Sequence, residues 1–169
     1  MIGTVLNMMI LFLGSDSKRI QHAMKVYCFA FALWEQEARE KLISDTDERK
    51  TVLLLAAILH DIGIQEAERK YGSSAGKFQE IEGPPIAAQI LSACDVEEKI
   101  IARVCYLIGH HHSYSMIDGL DFQILVEADL LVNLEEDKSG KQEIFSVREN
   151  YMKTAGAKEI LESYLTSGK

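Results

Sequence analysis

At 169 residues, 47% of them hydrophobic and only two of them proline, the chain has the length of one domain with a full core and is too short for two. Its 18 Lys+Arg stand against 26 Asp+Glu, a formal net charge of −8. That balance argues against a binder of nucleic-acid polymers or of anionic membrane surfaces, while a phosphorylated small molecule stays open wherever a metal supplies local positive charge.

In chain order, the uncharged start Met1 to Leu13 comes first. It lacks a basic leader and a small-residue cleavage site and is too short to cross a membrane, so it reads as a helix over about 2–13. That helix packs on the domain or meets a second copy, and its apolar run Val5 to Phe12 hints at a homodimer. A second helix over about 16–42 carries Ile20, Ala23, Met24, Tyr27, Phe31 and Trp34 on one stripe and His22, Val26, Phe29 and Leu33 on another, the pattern of a helix buried between others. Ser44-Asp45-Thr46-Asp47 has capping-box form and opens an apolar helix expected to run to Asp61, with Gly63 just past it. A short helix over 65–70 and a glycine- and serine-rich loop over 72–76 follow. Pro84-Pro85 is expected to open the next helix, to about Cys94, because proline suits a first turn. Asp95 to Glu98 starts another, ending near Gly109. After His110-His111-His112 and a loop to Gly119, a helix runs from Asp121 to about Glu136. Lys138 to Gly140 is a turn, and one or two helices finish the chain with a break at Gly156. No stretch alternates with period two, so the expected class is all-α. Cys28, Cys94 and Cys105 are odd in number and share no chelating spacing, which reads as reduced core residues of a cytoplasmic protein.

The chemistry concentrates at His60-Asp61, which follows nine residues without a charge, Thr51 to Leu59. Burying an imidazole and a carboxylate together is costly unless something pairs with them, and a divalent metal does so by bonding both. Asp129 shares a helix face with Phe122, Leu125 and Val132, so it points inward. His22 faces the same way as Val26 and Phe29. Taken singly, each is a common hydrogen-bonded core residue. All five histidines (His22, His60, His110, His111, His112) nevertheless fall at element ends or inward faces, a concentration that favours a metal site. Mixed imidazole and carboxylate donors suit one or two divalent transition metals, iron, manganese, cobalt, nickel or zinc, and not calcium. An aspartate next to a histidine can bridge two such ions.

The ordered residues His22, His60-Asp61 and Asp129, with the extended motif His60-Asp-Ile-Gly63, resemble the HD superfamily of metal-dependent phosphohydrolases over about residues 15–138. The resemblance implies a helical bundle of about five core helices, with a first metal held by His22, His60, Asp61 and Asp129. It implies further metal ligands at Glu82, where relatives with a similar Gly-Pro sequence have histidine, and at the His110-His111 pair. Arg19 matches an arginine often found three residues before the first histidine, and it is open there to two roles, contact with a phosphate or a surface salt bridge. Ile64 stands where the cyclic-dinucleotide branch has lysine, which disfavours that branch; Arg69, Lys70 and Lys77 are candidate replacements. The implied activity is hydrolysis of a small phosphorylated compound, foremost a nucleotide, by metal-activated water, with Asp61 and Arg19 as catalytic groups. The alternatives are a diiron oxygenase of the same superfamily and a non-catalytic metal- or nucleotide-binding module.

Overall fold

The computed structural model describes residues 1–41 and 48–167. The capping box at Ser44 to Asp47 lies outside them. Among the described residues there are nine α-helices and no strand: α1 (Ile2–Leu13), α2 (Ser17–Glu40), α3 (Glu48–Leu59), α4 (Ile64–Tyr71), α5 (Gly76–Ala93), α6 (Glu98–Ile108), α7 (Leu120–Glu136), α8 (Lys141–Tyr151) and α9 (Ala155–Ser167). A single 3-10 turn, Tyr114–Met116, lies before α7. No helix among the described residues is long and apolar enough to cross a membrane.

Helix α3 organises the bundle. Every residue from Val52 to Leu59 is buried, and a helix apolar on all sides must be enclosed. Its neighbours are α2, α6, α7 and α1. Helix α2 lies along α3 and α7 and buries Ala23, Val26, Ala30, Leu33 and Trp34. Helix α5 packs on α6 and α4, and α9 closes the far side against α2 and α7. Helix α1 turns Val5, Met9 and Leu13 inward and leaves Leu11 and Phe12 exposed.

Four expectations are corrected. Helix α3 stops at Leu59, so His60 to Gly63 form a turn and not a last helical stretch. Helix α5 begins at Gly76 and carries both prolines inside it; packing against α4 and α6 holds the helix where local preference would end it. Gly156 lies within α9, not at a break. A Cβ there would come within 2.5 Å of Gln36 Oε1, so glycine permits the close approach of α9 to α2. Cys28 is exposed, and Cys94 and Cys105 are only half-buried, although all three are free thiols. Cys28 lies on the solvent-facing side of α2.

Candidate metal centre

The His60-Asp61 turn solves a directional problem. Adjacent side chains on a helix diverge by about 100°, yet His60 Nε2 and Asp61 Oδ2 lie 3.5 Å apart. The turn lets both face one point. His60 Nδ1 donates to the Ala57 carbonyl at 3.0 Å, one of the acceptors that a helix leaves free in its last turn. His111 repeats this at the end of α6, where its Nδ1 donates to the Ile108 carbonyl at 2.7 Å. In both rings Nδ1 is thereby committed as the donor, and Nε2 carries the lone pair into the interior. The C-terminal ends of α3 and α6 both reach this region, and the negative end of a helix favours a cation.

His22 comes from the second turn of α2, and Asp129 from the middle of α7. His22 Nε2 lies 3.2 Å from His60 Nε2 and 3.1 Å from Asp129 Oδ1; His60 Nε2 lies 3.6 Å from the same oxygen. His22 Nδ1 is engaged by Glu136 Oε2 at 3.1 Å, and Asp129 Oδ1 accepts from Asn133 Nδ2 at 3.0 Å. Two imidazoles whose Nδ1 atoms already donate therefore point Nε2 lone pairs at each other, an arrangement that a cation or an added proton must reconcile. Donor atoms spaced this way fit an ion with bonds of about 2.1 Å at tetrahedral or octahedral angles, which separate neighbouring ligands by about 3.0–3.4 Å.

Asp61 spans from this group to a second one. Its Oδ2 lies 3.7 Å from His22 Nε2, and its Oδ1 lies 3.6 Å from His111 Nε2. His111 is 2% exposed, and its Nε2 has no hydrogen-bond partner. A buried, unsatisfied ring nitrogen facing a carboxylate is costly without a ligand to bond it. His112 joins Asp61 and His111 in a second group of donors within 4.8 Å of one another, beside the first group of His22, His60 and Asp129. The residues present therefore fit a divalent metal.

The electrostatics agree. Burial opposes charge on His60, but Asp61 and Asp129 beside it hold its pKa up at about 9. His22 moves the same way, against burial, through its hydrogen bond to Asp129. Burial would raise Asp61, yet His60 and His111 hold it down at about 2. Asp129 is likewise depressed, by His22 and His60. Burial, with His111 beside it, pushes His112 down to about 4, so it is neutral at ordinary pH and free to act as a ligand.

Three sequence candidates fall outside the cluster. Glu82 is taken by Lys70 Nζ at 2.6 Å and the Tyr71 hydroxyl at 2.9 Å, so both its oxygens are engaged and it belongs to neither donor group. His110 donates from Nδ1 to the Tyr106 carbonyl at 2.7 Å and rests against the Tyr106 ring; the ring of His112, the third histidine, takes the place expected for it. Arg19 lines the cleft, but its guanidinium is clamped by Asp16 and Glu68, each at 2.6 Å. Sequence reasoning passed over Glu136 and Asn133, seven and four residues beyond Asp129 and so on its helix face; counting along that face finds both. It also passed over Glu80, whose carboxylate accepts from the His112 backbone N–H and the Ser113 hydroxyl and so holds the histidine turn.

A buried histidine and aspartate cluster inside a bundle of helices is an arrangement able to hold a metal ion. The family model described as HD domain matches residues 19–154, and the chain belongs to that family, whose members are in general metal-dependent phosphohydrolases. No curated protein and no solved structure matches the chain.

Proposed function

We propose that the chain is a phosphohydrolase that cleaves a small phosphorylated compound, foremost a nucleotide, by attack of water on phosphorus. The observation that carries this reading is the Asp61 carboxylate, which offers one oxygen to the His22 and His60 pair and the other to His111. His22, His60, Asp61 and Asp129 would hold a first divalent metal, and Asp61, His111 and His112 a second. When bound, the metal lowers the pKa of water and draws negative charge from the phosphoryl oxygens. Asp61 then fixes where the attacking water sits, because its two oxygens face both donor groups. Glu136 and Asn133 keep His22 and Asp129 in the orientation that presents Nε2 and Oδ1 inward. A cleft of about 310 Å³, lined in part by His22, Asp61, Ser74, Gln79 and Asn133, gives the phosphate a route in. The free thiols suit a reducing compartment such as the cytoplasm.

Purified protein supplied with manganese, cobalt or nickel should release phosphate from a panel of nucleotides and simpler phosphate esters. Elemental analysis of the same sample, prepared without chelator, should return one or two transition-metal ions per chain. Full occupancy with no turnover of any ester refutes the proposal. Iron-specific loading with oxygen consumption on an organic substrate would identify the oxygenase alternative instead.

A further inference from the structure

We infer that the cleft over the metal centre accepts a single phosphate group and rejects di- and triphosphates, so that the substrate is a phosphomonoester. The turnover of that substrate rests on the hydrolase reading above, whereas the discrimination between phosphates is a property of binding. At about 310 Å³ the cleft is at the small end of ligand pockets, which run from about 300 to 1,000 Å³.

Four of the cations in and around the cleft, Arg19, Lys25, Arg69 and Lys70, are already paired with carboxylates. Arg19 gives one guanidinium nitrogen to Asp16 and another to Glu68, both at 2.6 Å, so recruiting it to a phosphate brings two carboxylates with it. Lys25, one turn beyond His22, is held by Glu135 and Glu136 at 3.1 and 3.2 Å. Around the loop over 72–76, Arg69 pairs with Glu66, Lys70 pairs with Glu66 and Glu82, and Lys77 lies over the Phe78 ring. Lys18 alone, among the described cations that line the cleft, has no ion-pair partner.

The lining from the end of α7 has the opposite sign. Glu136 and Asp137 stand there beside the last carbonyls of the helix, whose dipole adds negative potential. With a divalent metal bound, the donor cluster and Lys18 would supply the positive charge to meet one phosphate. A second or third phosphate that extends toward the end of α7 meets the Glu136 and Asp137 carboxylates, with Lys18 the one unpaired lysine or arginine among the described residues of that lining. Ser74 and Asn133 on the same lining offer polar partners to an uncharged, hydroxyl-bearing group.

The test uses the manganese-loaded protein at fixed free manganese, with p-nitrophenyl phosphate, AMP, ADP and ATP. Both kcat/KM and protection against thermal unfolding are read. AMP should exceed ATP by about tenfold or more, the scale expected for like charges within a partly screened cleft. Asp137→Asn and Glu68→Gln, the latter releasing Arg19, should each narrow that gap. ADP or ATP bound and cleaved as well as AMP overturns the inference and leaves the hydrolase standing. Protection by the monophosphates alone, without turnover, supports the inference and removes the hydrolase. No protection by any ester and no turnover removes both.

Discussion

Glu136 shows how much of this site depends on residues outside the two donor groups. Its carboxylate engages His22 Nδ1 at 3.1 Å, and that contact decides which ring nitrogen presents a lone pair to His60 and Asp129. Residues that orient metal ligands typically contribute ten- to a hundred-fold to metal affinity. Glu136→Gln keeps the shape but can satisfy the ring by donating, which favours the wrong tautomer. The expected outcome is a ten- to hundred-fold weaker metal affinity by calorimetry, with the helical circular dichroism unchanged. Unaltered affinity would mean that His22 is positioned by packing alone. Arg19 and Glu82 teach the converse. Both have the right residue type at the right place in the chain, yet each is engaged by partners contributed from a neighbouring helix or turn, Glu68 on α4 in one case and Lys70 and Tyr71 in the other. A one-dimensional reading has no access to such pairings.

At the scale of elements, the centre is built where helices end. The His60 turn passes so close to α5 that a Cβ on Gly63 would lie 2.5 Å from the Gly83 backbone nitrogen. Backbone cannot give way as a side chain can, so Gly63→Ala should destabilise the fold by about 1–3 kcal/mol. Gly3→Ala is the matched control, because nothing lies within 4 Å of the added carbon and alanine is the better helix former. Chemical denaturation of the two variants checks this, and equal stabilities would mean that α5 stands further from the turn. Helix α9 is held by buried carboxylates. Glu127, wholly buried on α7, accepts from the backbone N–H groups of Lys153 and Thr154 and from the Thr154 hydroxyl, while Glu37 on α2 accepts from the Ala155 N–H. Glu127→Ala leaves several of those donors unpaired and should cost about 1–3 kcal/mol or more. The number of metal ions bound should stay the same, since none of the clustered donors lies on α9. Loss of metal together with stability would show that α9 shapes the centre through α2 and α7.

For the whole molecule, the cluster predicts how stability follows pH. The His60 pKa, about 9 when folded, exceeds its unfolded value near 6.5. Its contribution is therefore complete below pH 6.5 and is lost as pH rises through 9. Asp61 runs the other way: it sits at about 2 when folded, so its contribution is present above about pH 4 and is lost as pH falls through 2. Without metal, this cluster stabilises the fold most between about pH 4 and 6.5. A metal ion takes the place of the imidazole protons, so the stabilisation by manganese should grow from pH 6 to 9. Thermal unfolding with and without manganese across that range measures it. A metal-induced shift that is the same at every pH would show that the ion binds elsewhere.

The all-helical class and the inward placement of His22, His60 and Asp129 were readable in the sequence because they depend on local facts. An uncharged run before His60-Asp61 demands burial, and helical spacing puts Asp129 and His22 on apolar faces. Family resemblance put those residues in one order. Which of three consecutive histidines turns inward was decided by the geometry after α6, where His111 takes the Ile108 carbonyl and His110 takes that of Tyr106. Prolines inside α5, the clamp on Arg19 and the capture of Glu82 were likewise decided only in three dimensions. The physical reason is common to all of them. Hydrophobic periodicity is a property of neighbours along the chain, whereas an ion pair, a tautomer or a tolerated proline depends on what another helix brings within about 3 Å.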